Sequence, residues 1–376
     1  MKIIYITNAR IPTEKAHGYQ IFKMCEEFSN QGAEVELWIP TRDNHIKENN
    51  FSFYGVKNNF KIREIKSFDF YIYHKYLGKL SFWLQGSWFV LKLLFIRVDK
   101  DVIIYTRNPE IGWIFNLKRY KVIVEVHNWP SKDRLYRFLI KRSNKIITIT
   151  NGLKKLFLKN SWPENNILVA PDGVDLKKFD IKIDKIQAKE KLNLPTNKKI
   201  ILYCGSLYLY GWKGVDIFLA AAGTLPEDYL AILVGGESNE TAKIKNKYGG
   251  NNLLLVGRKR HEEIPYYLKS ADVLVLPNKS GDKISEQYTS PLKLFEYMAS
   301  GVPIIASALP SLKEILNGKN SFLFKPDDSE SLAQGIKKLI QDNNFSQQIA
   351  RQALLDVKNY TWEKRTRNII EFIKFL

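Results

Sequence analysis

The chain has 376 residues, 45% hydrophobic and 26% charged, which is ordinary for a soluble globular protein and too long for one typical core. Its formal charge of +19 is the outlying property and is unevenly placed: residues 51–160 hold 22 Lys and Arg against 7 Asp and Glu. Only two cysteines occur, Cys25 and Cys204, both in apolar surroundings, which excludes a disulfide framework and predicts buried free thiols in a reducing compartment.

The N-terminus, MKIIYITNAR, has a short apolar run without a signal-peptide layout and predicts a first strand, Lys2–Asn8. A loop, Asn8–Gly18, leads into a helix over Tyr19–Asn30. Strands follow at Val35–Pro40 and Phe60–Ile65, then a helix over Leu77–Ile96. The apolar part of that helix is shorter than the roughly 20 residues of a membrane span and contains Gln85 and Lys92. Further strands are predicted at Val102–Arg107, Val122–His127, Ile146–Thr150 and Ile167–Pro171. Leu176–Lys199, rich in lysine, is the linker candidate. A second series of strands spans Ile200–Gly205, Leu230–Gly235, Leu253–Gly257, Val273–Pro277, Val302–Ser307 and Ser321–Phe324. Its helices are Val215–Thr224, Glu262–Ser270, Pro291–Ser300 and Glu330–Gln341, and Thr361–Leu376 predicts a last amphipathic helix. Alternation of strand and helix throughout argues for parallel α/β sheets.

The basic region is also aromatic, with Phe68, Phe70, Tyr71, Tyr73, Tyr76, Phe82, Trp83, Trp88, Phe89 and Phe95. A basic face with interleaved rings fits an anionic membrane surface, and also nucleic acid; a solvated basic face over a core helix is the plain alternative.

The most informative segment is Thr289-Ser-Pro-Leu-Lys-Leu-Phe-Glu-Tyr-Met-Ala-Ser-Gly-Val-Pro303. Ser290 suits an N-cap, Pro291 the first helical position, and Gly301 with Pro303 the helix stop. Free N–H groups and the positive dipole end at Pro291, Leu292 and Lys293 make an anion seat. Glu296 stands beside the apolar stripe Leu292, Phe295 and Ala299, where a carboxylate needs a partner. A phosphate seat with a carboxylate one turn along suits a nucleotide-sugar. Gly205 ends a strand at the ligand-binding edge of an open α/β sheet, and Lys213, just before the next helix, can reach a diphosphate as a point charge; alternatively it is an exposed turn lysine. Gly235-Gly236 and Gly257-Arg258 form close-approach loops on the same edge. His127 ends a strand and points toward a ligand cleft, or is a hydrogen-bonded core histidine, with Glu125 placed to orient it; Arg107 ends a neighbouring strand. Gly18 precedes a helix whose N–H groups can approach a phosphate, and no Gly-x-Gly-x-x-Gly fingerprint argues for NAD. No cluster offers metal-ligand spacing, so no metal and no obligatory divalent ion is expected.

The run TSPLKLFEYMASGVPIIAS resembles the donor-binding signature of retaining glycosyltransferases of the glycogen-synthase-like kind, glycosyltransferase family 4 (group 1), and the resemblance extends over essentially the whole chain. It implies the GT-B architecture, an α/β fold of two Rossmann-like doubly wound parallel-sheet domains facing a cleft. The implied divisions are an acceptor-binding domain over 1–178, a nucleotide-sugar-binding domain over 179–358 and a helix over 359–376 crossing back to the first. It further implies that Glu296 binds the donor ribose, that Thr289, Ser290, Pro291, Leu292 and Lys293 line the diphosphate seat, and that Lys213 neutralises the leaving phosphate. Gly205, Ser206, Gly235, Gly236, Gly257 and Arg258 lie around the nucleotide, His127 near the sugar, and Gly18, Arg107 and Tyr288 on the acceptor or cleft side. Two positions depart from the pattern: Ser206 stands where most members have arginine, and Tyr288 where they have an earlier glutamate.

The expected activity is retaining transfer of a hexose from a nucleotide-diphospho-sugar, a UDP-sugar for preference, to a lipid-linked or cell-surface polysaccharide acceptor, with no cofactor besides the co-substrate. The expected location is cytoplasmic, peripheral on the inner face of the membrane, with an anionic membrane surface as partner and no nucleic acid. An epimerase acting on nucleotide-sugars and a basic nucleic-acid-binding protein are the alternatives; the first needs a proton-abstracting pair in the site, the second a recognition motif.

Overall fold

Most of the strands are near-continuous runs of apolar residues, the pattern of parallel strands covered on both faces. In the computed structural model, which describes residues 1–129, 133–207, 211–250 and 252–376, they form two sheets in two compact units.

The first unit comprises Met1–Ile149, Leu153–Pro171 and Trp362–Leu376. Its strands are β1 (Lys2–Ile6), β2 (Glu34–Pro40), β3 (Lys61–Ile65), β4 (Ile103–Thr106), β5 (Lys121–Val126), β6 (Lys145–Thr148) and β7 (Ile167–Val169), in the order β3-β2-β1-β4-β5-β6-β7 with every pair parallel. The order reverses between β1 and β4, where open α/β sheets bind their ligands at the strands' carboxyl ends. The last helix, Trp362–Ile373, belongs to this unit. It buries Trp362, Arg365, Thr366, Ile369 and Ile373, and Gln31 donates to Thr366 Oγ1 at 2.6 Å.

The second unit comprises Thr150–Gly152 and Asp172–Thr361. Its strands are β8 (Lys199–Cys204), β9 (Tyr229–Val234), β10 (Leu253–Gly257), β11 (Val273–Leu276), β12 (Ile304–Ser307) and β13 (Phe322–Phe324), in the order β10-β9-β8-β11-β12-β13, again all parallel. Alternation assigns each strand to two cores. Ile200, Leu202 and Cys204 face one, and Ile201 and Tyr203 the other; β9 and β11 divide in the same way.

Several boundaries differ from expectation. The proposed linker is ordered, holding helices Leu176–Phe179 and Lys185–Lys191. Asp184 and Gln187 close a capping box there, and the buried Lys189 donates to the Lys198 carbonyl at 2.7 Å. A local cap and a satisfied ammonium thus override composition. The helix expected over 77–96 breaks at Gly78, which has φ +49, into His74–Leu77 and Lys79–Phe95. No described helix is long and apolar enough to cross a membrane.

Candidate functional site

In the second unit the expected residues gather at the carboxyl ends of β8, β9 and β10. Gly205 N–H donates to the Val234 carbonyl at 2.9 Å and Gly235 N–H to that of Gly257 at 2.7 Å, so the glycines tie the three strand ends together. Both need glycine: φ is +144 at Gly205 and +122 at Gly235, and a Cβ on Gly235 would lie 2.1 Å from the Gly205 carbonyl oxygen. Gly236 and Gly257 continue the same rim. Arg258 is exposed, 3.5 Å from the Glu237 carboxylate.

The helix beneath this rim is Leu292–Ser300, closed at Gly301 with φ +70 as expected. Its start is a correction. Pro291 is the N-cap, and Ser290 does not cap, because its Oγ accepts the Asp172 N–H at 3.2 Å instead. No side chain caps the helix, so its first N–H groups retain their positive end. Thr289 and Ser290 are buried beside it.

Lys293 rises from this helix into a cationic pocket. Its Nζ is buried with no hydrogen-bond acceptor among the described residues and lies 3.8 Å from the centroid of the Tyr203 ring. A Cβ on Gly205 would come 3.2 Å from that ammonium, so the glycine also keeps the approach open. Burial, together with repulsion from Lys213, pushes the Lys293 ammonium down to about 7, against a smaller pull from Cys204 and Glu296. Lys213 donates to Ser206 Oγ at 2.6 Å, and burial lowers its own pKa too. Two ammonium groups and an open helix end thus converge.

Glu296, one turn along, is buried, and its Oε1 lies 2.7 Å from Nε2 of His261. A carboxylate only accepts, so Nε2 carries the proton. This answers the expectation that Glu296 needs a partner, and sequence reasoning missed the partner. His261 hides in the charged run Arg258-Lys-Arg-His-Glu-Glu263, four residues beyond Gly257, and only its place after a strand end marks it. Tyr297 was missed too: its hydroxyl accepts the Cys204 N–H at 2.7 Å and fastens the helix to the end of β8. Tyr288, expected on the acceptor or cleft side, is buried at the end of a π-turn, Ile284–Tyr288.

In the first unit the residue after β5 is His127, hydrogen-bonded through Nε2 to Glu125. Glu125 is fully buried, also accepts from Gln20 at 2.6 Å and from the Tyr105 hydroxyl, and forms an ion pair with Arg365 at 3.1 Å. Burial opposes its ionisation, but Arg365, His127 and Arg107 outweigh burial and hold it well below the usual carboxylate range. Burial and then Arg107 push His127 down to about 4, against the pull of Glu125. At neutral pH the ring is uncharged, with its proton on Nε2 and a lone pair on Nδ1. Arg107 donates to Gln20 at 2.8 Å and completes the network. Gly18 is a correction: the helix begins at Ala16, the Gly18 N–H is spent on the Lys15 carbonyl, and a Cβ there would meet the Tyr54 hydroxyl at 2.3 Å. It is a packing glycine. The one Asp-x-Asp triplet, Asp99-Lys100-Asp101, precedes β4 and so lies at the opposite sheet edge from His127. Of the loop Gly205–Lys213, residues 208–210 lie outside the described residues.

Comparison with known proteins bears on the family and the fold. The family profile described as "Glycosyl transferases group 1" matches residues 184–355, and "Glycosyltransferase Family 4" matches 18–178. The chain is 25% identical over 301 residues to the uncharacterized glycosyltransferase MJ1069 of Methanocaldococcus jannaschii, covering 72% of this chain and 74% of that one. It is 27% identical to the Escherichia coli UDP-Gal:alpha-D-GlcNAc-diphosphoundecaprenol alpha-1,3-galactosyltransferase, over 61% of this chain and 59% of that one, less than two thirds of the relative's length. Among solved structures, Anabaena HepE in complex with UDP and glucose superposes with a TM-score of 0.76 at 18% identity, covering all of both chains. The chain has the GT-B fold and belongs to the group 1, family 4 glycosyltransferases.

Proposed function

We propose that this glycosyltransferase moves a hexose, with retention, from a UDP-sugar to a lipid-linked or cell-surface polysaccharide acceptor at the inner face of the membrane. The observation that carries the donor half is Lys293: a buried ammonium with no acceptor among the described residues is costly unless an anion arrives to pair with it. The diphosphate would fill that place, held by Lys293, Lys213 and the open start of the helix at Leu292. The ribose hydroxyls would donate to Glu296. The lysines supply the positive charge that a departing diphosphate requires, which favours a metal-independent route. UDP in Anabaena HepE and the UDP-Gal and diphosphoundecaprenol in the name of the E. coli relative support the choice of donor and acceptor class.

Catalysis in this reading is electrostatic. The leaving diphosphate develops negative charge against preorganised cations, and losing one such group typically costs on the order of 10²–10³ in rate. His127, neutral and steered by Glu125, would accept a hydrogen bond from a sugar hydroxyl. With no protein nucleophile assigned, the acceptor hydroxyl attacks the face that the diphosphate leaves.

Thermal shift with UDP-, GDP- and ADP-sugars tests the donor, since a ligand that binds only the folded state raises apparent stability by mass action. UDP-sugars are expected to give the largest shift, and Lys213→Ala and Glu296→Ala to lose transfer while staying folded. Wild-type transfer in both variants would remove the assignment. Incubation with donor alone separates the rival activity, because an epimerase converts the sugar and a transferase only hydrolyses it slowly.

A further inference from the structure

The helix Lys79–Phe95 in the first unit is built inside out. Its inward stripe is Ser81, Gln85, Phe89 and Leu93, at intervals of four, all buried, and half of it is polar. Its outward face carries Leu80, Phe82, Trp83, Leu84, Trp88, Leu91, Leu94 and Phe95, with Trp83 72% and Phe95 80% exposed. The preceding turn adds Tyr71, Ile72, Tyr73 and Tyr76, the last 82% exposed. A helix docked on its own domain shows apolar residues inward and polar residues outward. This one reverses the rule, and the apolar surface it offers is contiguous.

The buried Ser81 is satisfied rather than misplaced. Ser81 Oγ donates to the Gly78 carbonyl at 2.7 Å, and His74 Nδ1 lies 3.0 Å from that same carbonyl. These bonds hold the bend at Gly78, so that the Phe70–Leu77 segment and the long helix expose their rings together.

Charge selects the occupant. From residue 70 to residue 98 there is no Asp or Glu, while Lys75, Lys79, Lys92 and Arg97 are all exposed. Asp69, at the border, is paired with Arg10 at 2.9 Å. Lys92 lies over the Trp88 ring, 5.4 Å from its centroid. Apolar rings flanked by lysines that lack acidic partners among the described residues match the boundary between acyl chains and anionic headgroups. A second copy of the same surface would set these cations against one another.

We propose that Phe70–Phe95 is a membrane-inserting element, lying in the interface of an anionic bilayer with Trp83, Trp88 and Phe95 among the lipid chains. This deepens the lipid-linked acceptor reading and rests on it for its purpose, because it brings the protein to the layer where such an acceptor lies.

The test uses the full chain with vesicles of phosphatidylcholine alone and with added phosphatidylglycerol. Expected are co-sedimentation with the anionic vesicles, quenching of tryptophan emission by brominated lipid, and residual binding in 1 M salt, where the Debye length is about 3 Å. Trp83→Ala and Phe95→Ala each remove a ring exposed in the free protein and are expected to weaken partitioning roughly tenfold, leaving the UDP-induced thermal shift unchanged. Absence of vesicle binding, complete loss of binding at high salt, wild-type partitioning of both variants, or a dimer in light scattering that Phe95→Ala dissolves would each overturn the proposal. The UDP shift is read on the same samples. Its survival without vesicle binding refutes the membrane element alone, and its loss refutes the donor reading instead.

Discussion

Replacing Lys293 with methionine is expected to make the protein more stable and less able to bind nucleotide. An ammonium whose pKa falls from 10.5 to about 7 carries about 5 kcal/mol of unfavourable free energy in the folded state, at 1.36 kcal/mol per pH unit. The ring of Tyr203 returns about 1–2 kcal/mol as a cation–π contact, leaving roughly 3 kcal/mol that the methionine variant no longer bears. The pH dependence gives the sign. Between pH 7 and 10.5 the unfolded chain binds a proton at this lysine that the folded chain does not, so this group makes wild-type stability rise with pH across that window. Lys293→Met lacks that contribution. Urea unfolding of both proteins at pH 7 and pH 9.5 measures it: the variant is expected to lead at pH 7 and the gap to close at pH 9.5. Nucleotide binding runs the other way. A diphosphate pairs with the charged lysine, so wild-type affinity for UDP is expected to fall by up to about tenfold per pH unit above pH 7. The variant is expected to bind about 10- to 100-fold more weakly at pH 7, the worth of one charge-assisted hydrogen bond, and to lose that pH slope. Calorimetric titration reads both. A methionine variant that is less stable at pH 7 and binds UDP as the wild type does would refute the reasoning at both ends.

Three further outcomes follow from the same geometry. His261→Ala frees the Glu296 carboxylate and is expected to weaken UDP binding roughly tenfold, while 2′,3′-dideoxy-UDP, which offers no ribose hydroxyls there, binds both proteins alike; equal losses for the two nucleotides would show that His261 does not act through the ribose. His127→Ala is expected to reduce kcat on the order of 10²–10³ with UDP affinity intact, and the wild-type rate should show no acid limb from this ring above about pH 5, given its pKa of about 4; a limb near pH 6.5 that the variant abolishes would contradict the neutral imidazole. Arg365→Leu strands the buried Glu125 and is expected to cost about 3–5 kcal/mol in urea unfolding. Because the carboxylate is held well below its usual range, the wild type keeps its contribution until the pH falls through that depressed value, and the variant should lose stability at higher pH; unchanged acid unfolding would refute the pairing.

Much of the second unit's site is legible in order along the chain, because it is built from local devices. Strand ends need glycine at Gly205 and Gly235, a helix stop needs Gly301, and Lys213 and Glu296 lie at fixed short distances from those marks. Apolar runs without alternation likewise imply parallel sheets covered on both faces. Misreadings cluster where a non-local partner decides. Ser290 has the right chemistry for a cap, but the Asp172 N–H competes for its oxygen. Gly18 stands near a helix start, yet Tyr54 occupies the space that a side chain there would need.

The sequence by itself determined the alternation of elements, the apolar strands, the turn glycines and the lysine-carboxylate spacing of the 289–303 segment, since each depends on neighbours within a turn or two. Tertiary structure alone decided which charges meet. Arg365 reaches Glu125 from the last helix, His261 reaches Glu296 from the loop after β10, and Lys293 finds the Tyr203 ring but no acceptor among the described residues. Those pairings depend on burial and on distances across the fold, and it is burial that turns an ordinary lysine or histidine into a group with a displaced proton affinity.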